Sequence, residues 1–303
     1  MRPLLRHAAV AAVLGVMAAL PARAESLADT MVAAYRHSAL IEQNRAVLRA
    51  ADEDVATAIA RLRPVVQWIA SHQYQRSEGG RDSRNSSLQI GAEITLYDWG
   101  RTRLAIDSAK EQVLATRQGL VAVEQEVLLG AALAFFDMRR ATEQVALQRN
   151  SVEVLSRERQ AAQDRFDVGE ITVTDVAQAD AQLAATQAAL AAAQGELEIA
   201  RESYMLATGR KPGALSAPPP LPKLPASVDA ARATGQKNHP SVLQSQRLAA
   251  AAELGVAAAA AERNPTLSGN ISAGIARSPD SFGRYDDRAS GSVGLDLRQT
   301  IYS

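Results

Sequence analysis

Metal or histidine-based chemistry in this chain would have to draw on four histidines and scattered carboxylates. Cysteine is absent from all 303 residues. That removes thiolate nucleophiles, thiolate metal ligands, disulfides and lipidated cysteine. The histidines are His7, His37, His72 and His239, and none has the His or Cys neighbours from which a metal site is built. His37 and His239 hold matching positions near helix starts in two related segments and read as structural. Asp286-Asp287 has the chemistry to touch a cation, but an adjacent pair in a polar loop reads first as solvated charge. No Ser/His/Asp set, HExxH motif or glycine-rich phosphate loop occurs. The expectation is a non-enzyme with no catalytic residue, no cofactor and no metal. Lys+Arg and Asp+Glu are equal at 33 each, so no basic field exists to hold nucleic acid.

The elements around these residues describe something other than a catalyst. Arg2, Arg6 and His7 precede an apolar run from Ala8 to Leu20, followed by Pro21 and Ala22-Arg23-Ala24. This is the three-part secretory leader, and residues 1–24 are expected to be removed. The run is too short to span about 30 Å of hydrocarbon. No later stretch approaches 18 consecutive apolar residues, so any membrane crossing in the mature chain falls to strands.

The mature chain repeats itself. Residues 37–64 resemble residues 239–265: His37 with His239, Leu40-Ile41 with Val242-Leu243, Arg45 with Arg247, and Pro64 with Pro265 after one deletion. Each block is a helix closed by a proline, followed by a strand, a polar loop and a second strand. The strands are expected at 65–75, 87–97, 266–276 and 290–301, with loops Arg76 to Ser86 and Arg277 to Ala289 between them. Leu88, Ile90, Ala92, Ile94 and Leu96 alternate with Gln89, Glu93 and Thr95. Val66, Trp68, Ala70 and Tyr74 share one face, as do Leu267, Ile271, Ala273 and Ile275, and Val293, Leu295, Leu297 and Ile301. Strands of about ten residues with one apolar and one polar face are the outer-membrane barrel pattern. The expectation is that Leu88, Ile90, Ala92, Ile94 and Leu96 face lipid. Four strands cannot close around a lumen, so several copies are expected to share one barrel. Three copies supply 12 strands, within the known range.

Between the strand pairs lies a predicted helical hairpin, 101–209. Residues 101–166 hold no proline and would reach about 100 Å as one helix. Val113, Leu120, Val127 and Ala134 recur every seven residues, as do Leu114, Val121, Leu128 and Phe135. On the return arm Val176, Leu183, Leu190, Leu197 and Tyr204 do the same, with Ala179, Thr186, Ala193, Ala200 and Ala207 three residues after each. These are coiled-coil a and d positions. At the turn, Gly169 can take a positive φ and end the first arm. Thr172 and Asp175 have capping-box spacing, and Ile171 and Val176 staple spacing. Residues 211–227 are proline-rich and read as a semi-rigid connector.

At LYDWG (Leu96 to Gly100) and RFDVGEITVTDVAQADAQL (Arg165 to Leu183) the sequence resembles the TolC family of outer-membrane efflux channels. The likeness spans essentially all of the mature chain. It implies a homotrimer with a barrel in the outer membrane on a periplasmic helical tunnel. It also implies a tip that docks a periplasmic adaptor protein, which engages an inner-membrane pump or ABC exporter. The tip residues that carry over are Val168, Gly169, Thr172 and Asp175. The barrel–helix junction is Tyr97, Asp98, Trp99 and Gly100. The implied function is efflux of small molecules or one-step protein secretion.

The fold class expected is thus mainly α with membrane β-strands: a coiled-coil tunnel hairpin plus four barrel strands in a duplicated unit. The first repeat is 25–210 and the second, 228–303, is incomplete. Tyr97-Asp98 matches Tyr302-Ser303, where the second hairpin would begin, so the chain by itself is expected to be a fragment without channel activity. Two other classes fit a coiled-coil hairpin. A periplasmic adaptor would flank it with soluble β-domains, and a trimeric surface structural protein would carry one barrel segment at its C-terminus.

Overall fold

A computed structural model describes residues 24–76, 82–279 and 284–301. The leader apart from Ala24, the middle of each polar loop and the Tyr302-Ser303 match lie outside those residues. The elements run α1 (Leu27–His37), α2 (Ala39–Ala60), β1 (Val65–Gln75), β2 (Ser83–Tyr97), α3 (Arg101–Asp167), α4 (Val173–Thr208), α5 (Val228–Asn238), α6 (Pro240–Ala261), β3 (Thr266–Pro279) and β4 (Tyr285–Arg298).

The duplication is visible in element lengths. The helix pairs α1–α2 and α5–α6 are 11 and 22 residues long in both copies. Their starts, and those of β1 and β3, are each 201 residues apart. This corrects the sequence alignment: no deletion is needed, and the counterpart of His239 is Ser38. Both are helix caps, Ser38 Oγ accepting from Ile41 N–H at 3.3 Å and His239 Nδ1 from Ser241 N–H at 3.2 Å. His37 packs instead on Gly209, and His72 Nδ1 lies 2.9 Å from Ser86 Oγ.

The chain divides into two compact units, one of residues 1–41 and 123–224, the other of residues 42–122 and 225–303. In the first, the second half of α3 pairs with α4. Every a and d position read on α4, from Val176 to Ala207, is buried or half-buried, while its other faces are exposed apart from Met205 and Thr208. On α3 the covered seam continues past Ala134 through Met138, Ala141, Val145, Gln148, Val152, Leu155, Arg159 and Ala162. Gln148 and Arg159 break its apolar pattern, and Arg159 is held by Asp180 across the seam at 2.7 Å. Phe135 and Tyr204, both fully buried, anchor a cluster with Ala134, Met138, Ala141 and Ala200. Helix α1 adds Thr30, whose hydroxyl lies 2.9 Å from Tyr204 Oη inside the core. Burial and the nearby Glu25 carboxylate push the Tyr204 phenol up to about 12.

The connector is partly docked rather than a free spacer. Glu25 and Leu215 form a parallel bridge, with Glu25 N–H donating to Ala214 O and Ser216 N–H to Glu25 O. Arg210 pairs with Glu25, and Arg139 donates to Ser216 O.

In the second unit α6 runs beside the first turns of α3. Ser108 Oγ donates to Ala251 O at 2.9 Å, and Arg247 pairs with Glu111 at 3.1 Å. The return arm α4, at 36 residues, is about half the length of the 67-residue α3. The stripe of α4 is therefore met by residues 134–162 of α3, not by the whole outgoing arm.

The strands form one antiparallel sheet in the order β1-β2-β3-β4. Three strands reach further into the polar segments than the side-chain pattern implies: β2 starts at Ser83, β3 runs to Pro279 and β4 starts at Tyr285. Backbone ladders propagate through polar residues as readily as apolar ones, here helped by a Ser71–Ser87 side-chain bond of 2.7 Å. At the other end β4 stops at Arg298, leaving Ile301 outside the strand.

Two left-handed glycines end the two hairpin arms and differ in surroundings. Gly209 has φ 73° and its space for a Cβ is filled by His37, whereas Gly169 has φ 82° and open space. A side chain at Gly169 costs about 1–2 kcal/mol of backbone strain alone. We therefore expect Gly209→Ala to lower stability more than Gly169→Ala in urea titrations. Equal losses would show that His37 gives way freely.

Candidate functional site

Three places carry the sequence-derived site residues: the sheet faces, the strand-to-helix junction and the hairpin tip. Residues directly opposed in an antiparallel ladder share a face, so the register assigns faces across all four strands. One face holds the row Val66–Ala92–Ile271–Val293, then Trp68–Ile90–Ala273–Gly291 and Ala70–Leu88–Ile275–Ala289. In the other direction it holds Ile94–Gly269–Leu295 and Leu267–Leu297. From Leu267 to Ile275 this band measures about 27 Å along the strand, or about 21 Å in height at a 40° tilt. It is bounded at one end by the row His72–Ser86–Arg277–Asp287, with Arg277 and Asp287 ion-paired at 3.2 Å. The opposite face carries Gln67, Ser71, Gln89, Glu93, Asn270, Ser272, Ser290, Ser292 and Asp296. Val65 and Ile69 are apolar exceptions on β1. Leu88, Ile90 and Leu96 are half or more exposed, and Ala92 and Ile94 are partly covered by neighbours.

Simple alternation puts Tyr97 on the polar face. The structure does otherwise. A bulge after Thr95 leaves Leu96 without a ladder partner and sets Tyr97 opposite Leu267, on the apolar face. Leu96 stays there too, its methyl over Gly269. A bulge of this kind re-aims the side chains after it. Trp99 then stacks edge-on against Tyr97, with ring centroids 4.6 Å apart. Trp99 has φ 53° and Gly100 φ 84°, and a bulky residue in that region is strained by about 1–3 kcal/mol. The chain leaves this corner into α3 under the Asp98 carboxylate, which accepts from Gly100 N–H at 3.1 Å, Thr102 N–H at 2.8 Å and the Thr102 hydroxyl. Burial works against the Asp98 charge. These hydrogen bonds outweigh it and hold the carboxyl below the usual aspartate range.

At the tip, Gly169 N–H donates to Phe166 O and Glu170 N–H to Arg165 O, both at 2.9 Å. This pair is a Schellman motif. Asp175 accepts from Thr172 N–H at 2.8 Å and from its hydroxyl at 2.7 Å. Ile171 is half-buried, Val176 is buried and Val168 is exposed. A shallow hollow beside the turn is lined by residues of both arms, among them Arg159, Arg165, Ile171, Asp175 and Gln178. Arg159 was not singled out from sequence; its charge at a seam position was the available signal. Asp286 and Asp287, expected in a polar loop, lie instead in β4, where the β3–β4 ladder extends further than the side-chain pattern implies; Asp286 faces Arg288 at 4.0 Å and Asp287 faces Arg277.

The profile of the outer membrane efflux protein family matches residues 31–210. The chain belongs to the outer membrane efflux protein family. Among its curated relatives, the outer membrane efflux protein BepC of Brucella suis is 31% identical over 292 residues, covering 95% of this chain and 63% of BepC. The chain thus spans under two thirds of that relative's length. The fold is shared with solved efflux channels. The CmeC outer membrane channel of Campylobacter jejuni aligns with a TM-score of 0.77 at 14% identity, over 91% of this chain and 61% of CmeC. The MtrE outer membrane channel of Neisseria gonorrhoeae, solved in its open state, aligns at 0.74 and 19% identity, over 91% and 64%. The strand order and long hairpin of this efflux-family chain are therefore a family architecture, and the junction and tip are its two structural corners.

The tip cap should be acid-labile. The Thr172 hydroxyl and amide hold Asp175 below its ordinary value. Its stabilisation is complete above the unfolded aspartate pKa and is lost as pH falls through the lower folded value. Protection of the amides at Thr172–Val176, taken as the ratio of intrinsic to observed exchange rate at each pH, is expected to fall below about pH 4, and to be low at every pH in Asp175→Ala. A wild-type protection ratio unchanged above and below that pH would contradict the assignment.

Proposed function

We propose that this chain supplies barrel and tunnel segments of the outer-membrane channel component of a tripartite efflux or type I secretion assembly, through which small molecules or proteins pass outward. One observation carries the reading. A four-stranded sheet with an apolar band on one face and a mostly polar opposite face leads directly into α3 of a coiled-coil hairpin far longer than a soluble core requires. The apolar band suits outer-membrane lipid, with Leu88, Ile90, Ala92, Ile94 and Leu96 as its β2 contribution. The Tyr97–Trp99 pair suits the headgroup level, where amphipathic rings collect. In this reading 25–210 and 228–303 are two copies of one unit joined by 211–227. Three chains share a 12-stranded barrel, and residues 1–24 direct export.

The tip is the docking element for a periplasmic adaptor. Val168 is displayed by the Schellman turn that Gly169 permits, and Thr172–Asp175 fixes the start of α4. The adaptor in turn recruits an inner-membrane pump or ABC exporter. A periplasmic adaptor identity for this chain is disfavoured by the one-face apolar sheet, since a soluble β-domain would have to hide that face.

The membrane assignment is tested by a pair of adjacent substitutions. Ile94 stands one row from the middle of the apolar band and Glu93 on the opposite face. Ile94→Arg is expected to weaken membrane assembly by about 2–4 kcal/mol, read as loss of heat-modifiable mobility in the membrane fraction. Glu93→Arg should assemble normally. Equal assembly of both variants would sink the lipid-face assignment. The docking assignment is tested separately. Gly169→Val should reduce crosslinking of the tip to its adaptor several-fold while leaving membrane assembly intact; unchanged crosslinking would remove this turn from the interface.

A further inference from the structure

We propose that the loop end of the apolar sheet face holds a binding site for the phosphate of an outer-leaflet lipid, with Arg84, His72 and Arg277 gathered around Ser86. The proposal rests on the reading that this face meets membrane lipid.

The ladder brings the four residues together. His72 on β1 and Arg277 on β3 stand opposite Ser86 on its two sides, so all three share the face that carries the apolar band. Arg84, two residues along β2, returns to the same face. It is a diagonal neighbour of His72 and Arg277, about 7–8 Å away. His72 Nδ1 lies 2.9 Å from Ser86 Oγ. The Arg84 guanidinium sits over the Tyr74 ring, 5.8 Å from its centroid. Such stacking uses the flat face of the guanidinium and leaves its edge donors for an oxyanion.

The carboxylates nearest the cluster are engaged. Asp82 accepts from the Tyr74 hydroxyl, and Asp287 pairs with Arg277 at 3.2 Å. Each guanidinium carries five donors, more than one carboxylate or one ring can use. Two such forks, an imidazole and a hydroxyl on one face suit the oxygens of a phosphate group.

Height selects a lipid as the source of that phosphate. The Ser86 row lies one two-residue step beyond the Ala70–Leu88–Ile275 row, about 5 Å higher at a 40° tilt, and Arg84 about 10 Å higher. The polar layer outside the hydrocarbon is about 5–8 Å thick on each side, so the cluster brackets it. Directly below, Leu88 and Ile275 are 56% and 57% exposed, a surface for the acyl chains of the same molecule. The helix end of the band is different. Its rows hold Ile94, Leu96, Tyr97, Leu267 and Leu297, none of them charged. Arginine on this face is thus confined to the end remote from the helices, which in the proposed topology is the outer leaflet. Free phosphate would meet the cluster but gain nothing from the apolar rows beneath it.

The full chain, extracted from the outer membrane in mild detergent, is titrated with diphosphoryl lipid A, dephosphorylated lipid A and inorganic phosphate, and binding is read by native mass measurement. The diphosphoryl lipid is expected to bind several-fold more tightly than either other probe. Arg84→Ala should weaken its binding about tenfold, the weight of one charge-assisted contact. Arg84→Lys should fall between, since an ammonium keeps the charge but not the fork. Arg288→Ala removes an arginine at similar height on the opposite face and should bind as wild type. Heat-modifiable mobility reports the folded sheet of each variant independently. Equal binding of the dephosphorylated lipid or of inorganic phosphate would overturn the site and leave the lipid-facing sheet standing. An equal loss in Arg288→Ala would do the same, since any arginine would then serve. A wild-type chain that never enters the outer membrane would overturn the site and the lipid-face reading together.

Discussion

A peptide group in hydrocarbon has no water to bond, so every N–H and C=O there must find a partner in protein. The β-sheet of this chain satisfies that rule internally for β2 and β3, which are paired on both sides, and leaves one open edge on each of β1 and β4. Much else in the molecule follows from placing such a sheet in a bilayer. The four strands must carry a common apolar face at a common height. The register achieves this: Val66, Ala92, Ile271 and Val293 fall in one row despite coming from two separated segments of chain. The duplication accounts for the economy of the design, since the same helix–helix–strand–strand unit supplies both halves of the sheet.

The helical part answers a different constraint. A helix of 67 residues has more apolar surface than one partner of 36 residues can cover. The second half of α3 is matched by α4 through a seven-residue stripe of small d residues. The first half runs beside α6, with Ser108 and Glu111 as its polar contacts. Between these lies the stretch containing Leu129 and Leu133, which neither α4 nor α6 covers. The junction residues Asp98, Trp99 and Gly100 convert strand direction into helix direction in three residues. The strain at Trp99 is held in place by the Asp98 cap and the stack on Tyr97.

Much of this was legible from residue types. The return-arm heptads predicted the covered face of α4, because a long helix with one partner has no other way to bury Leu and Val. Turn chemistry at Gly169 and Thr172–Asp175 was legible because capping is local. The β2 alternation was legible up to Thr95. What escaped is non-local. The bulge that moves Tyr97 to the apolar face depends on pairing with β3, 170 residues away by the Tyr97–Leu267 register. Arg159 sits in the seam because Asp180 on the other arm neutralises it. Leu215 docks because Glu25, far upstream, offers it a backbone partner. His37 and His239 looked equivalent by residue type, but the helix boundaries pair His239 with Ser38.

The central claim is that the sheet exists in a membrane only as a shared barrel. Native mass measurement of the chain extracted from the outer membrane tests it directly. The account predicts a species of three copies, supplying 12 strands, with no inserted monomer. A single copy that is stably inserted and heat-modifiable would mean that β1 and β4 find partners within one chain, and would contradict it.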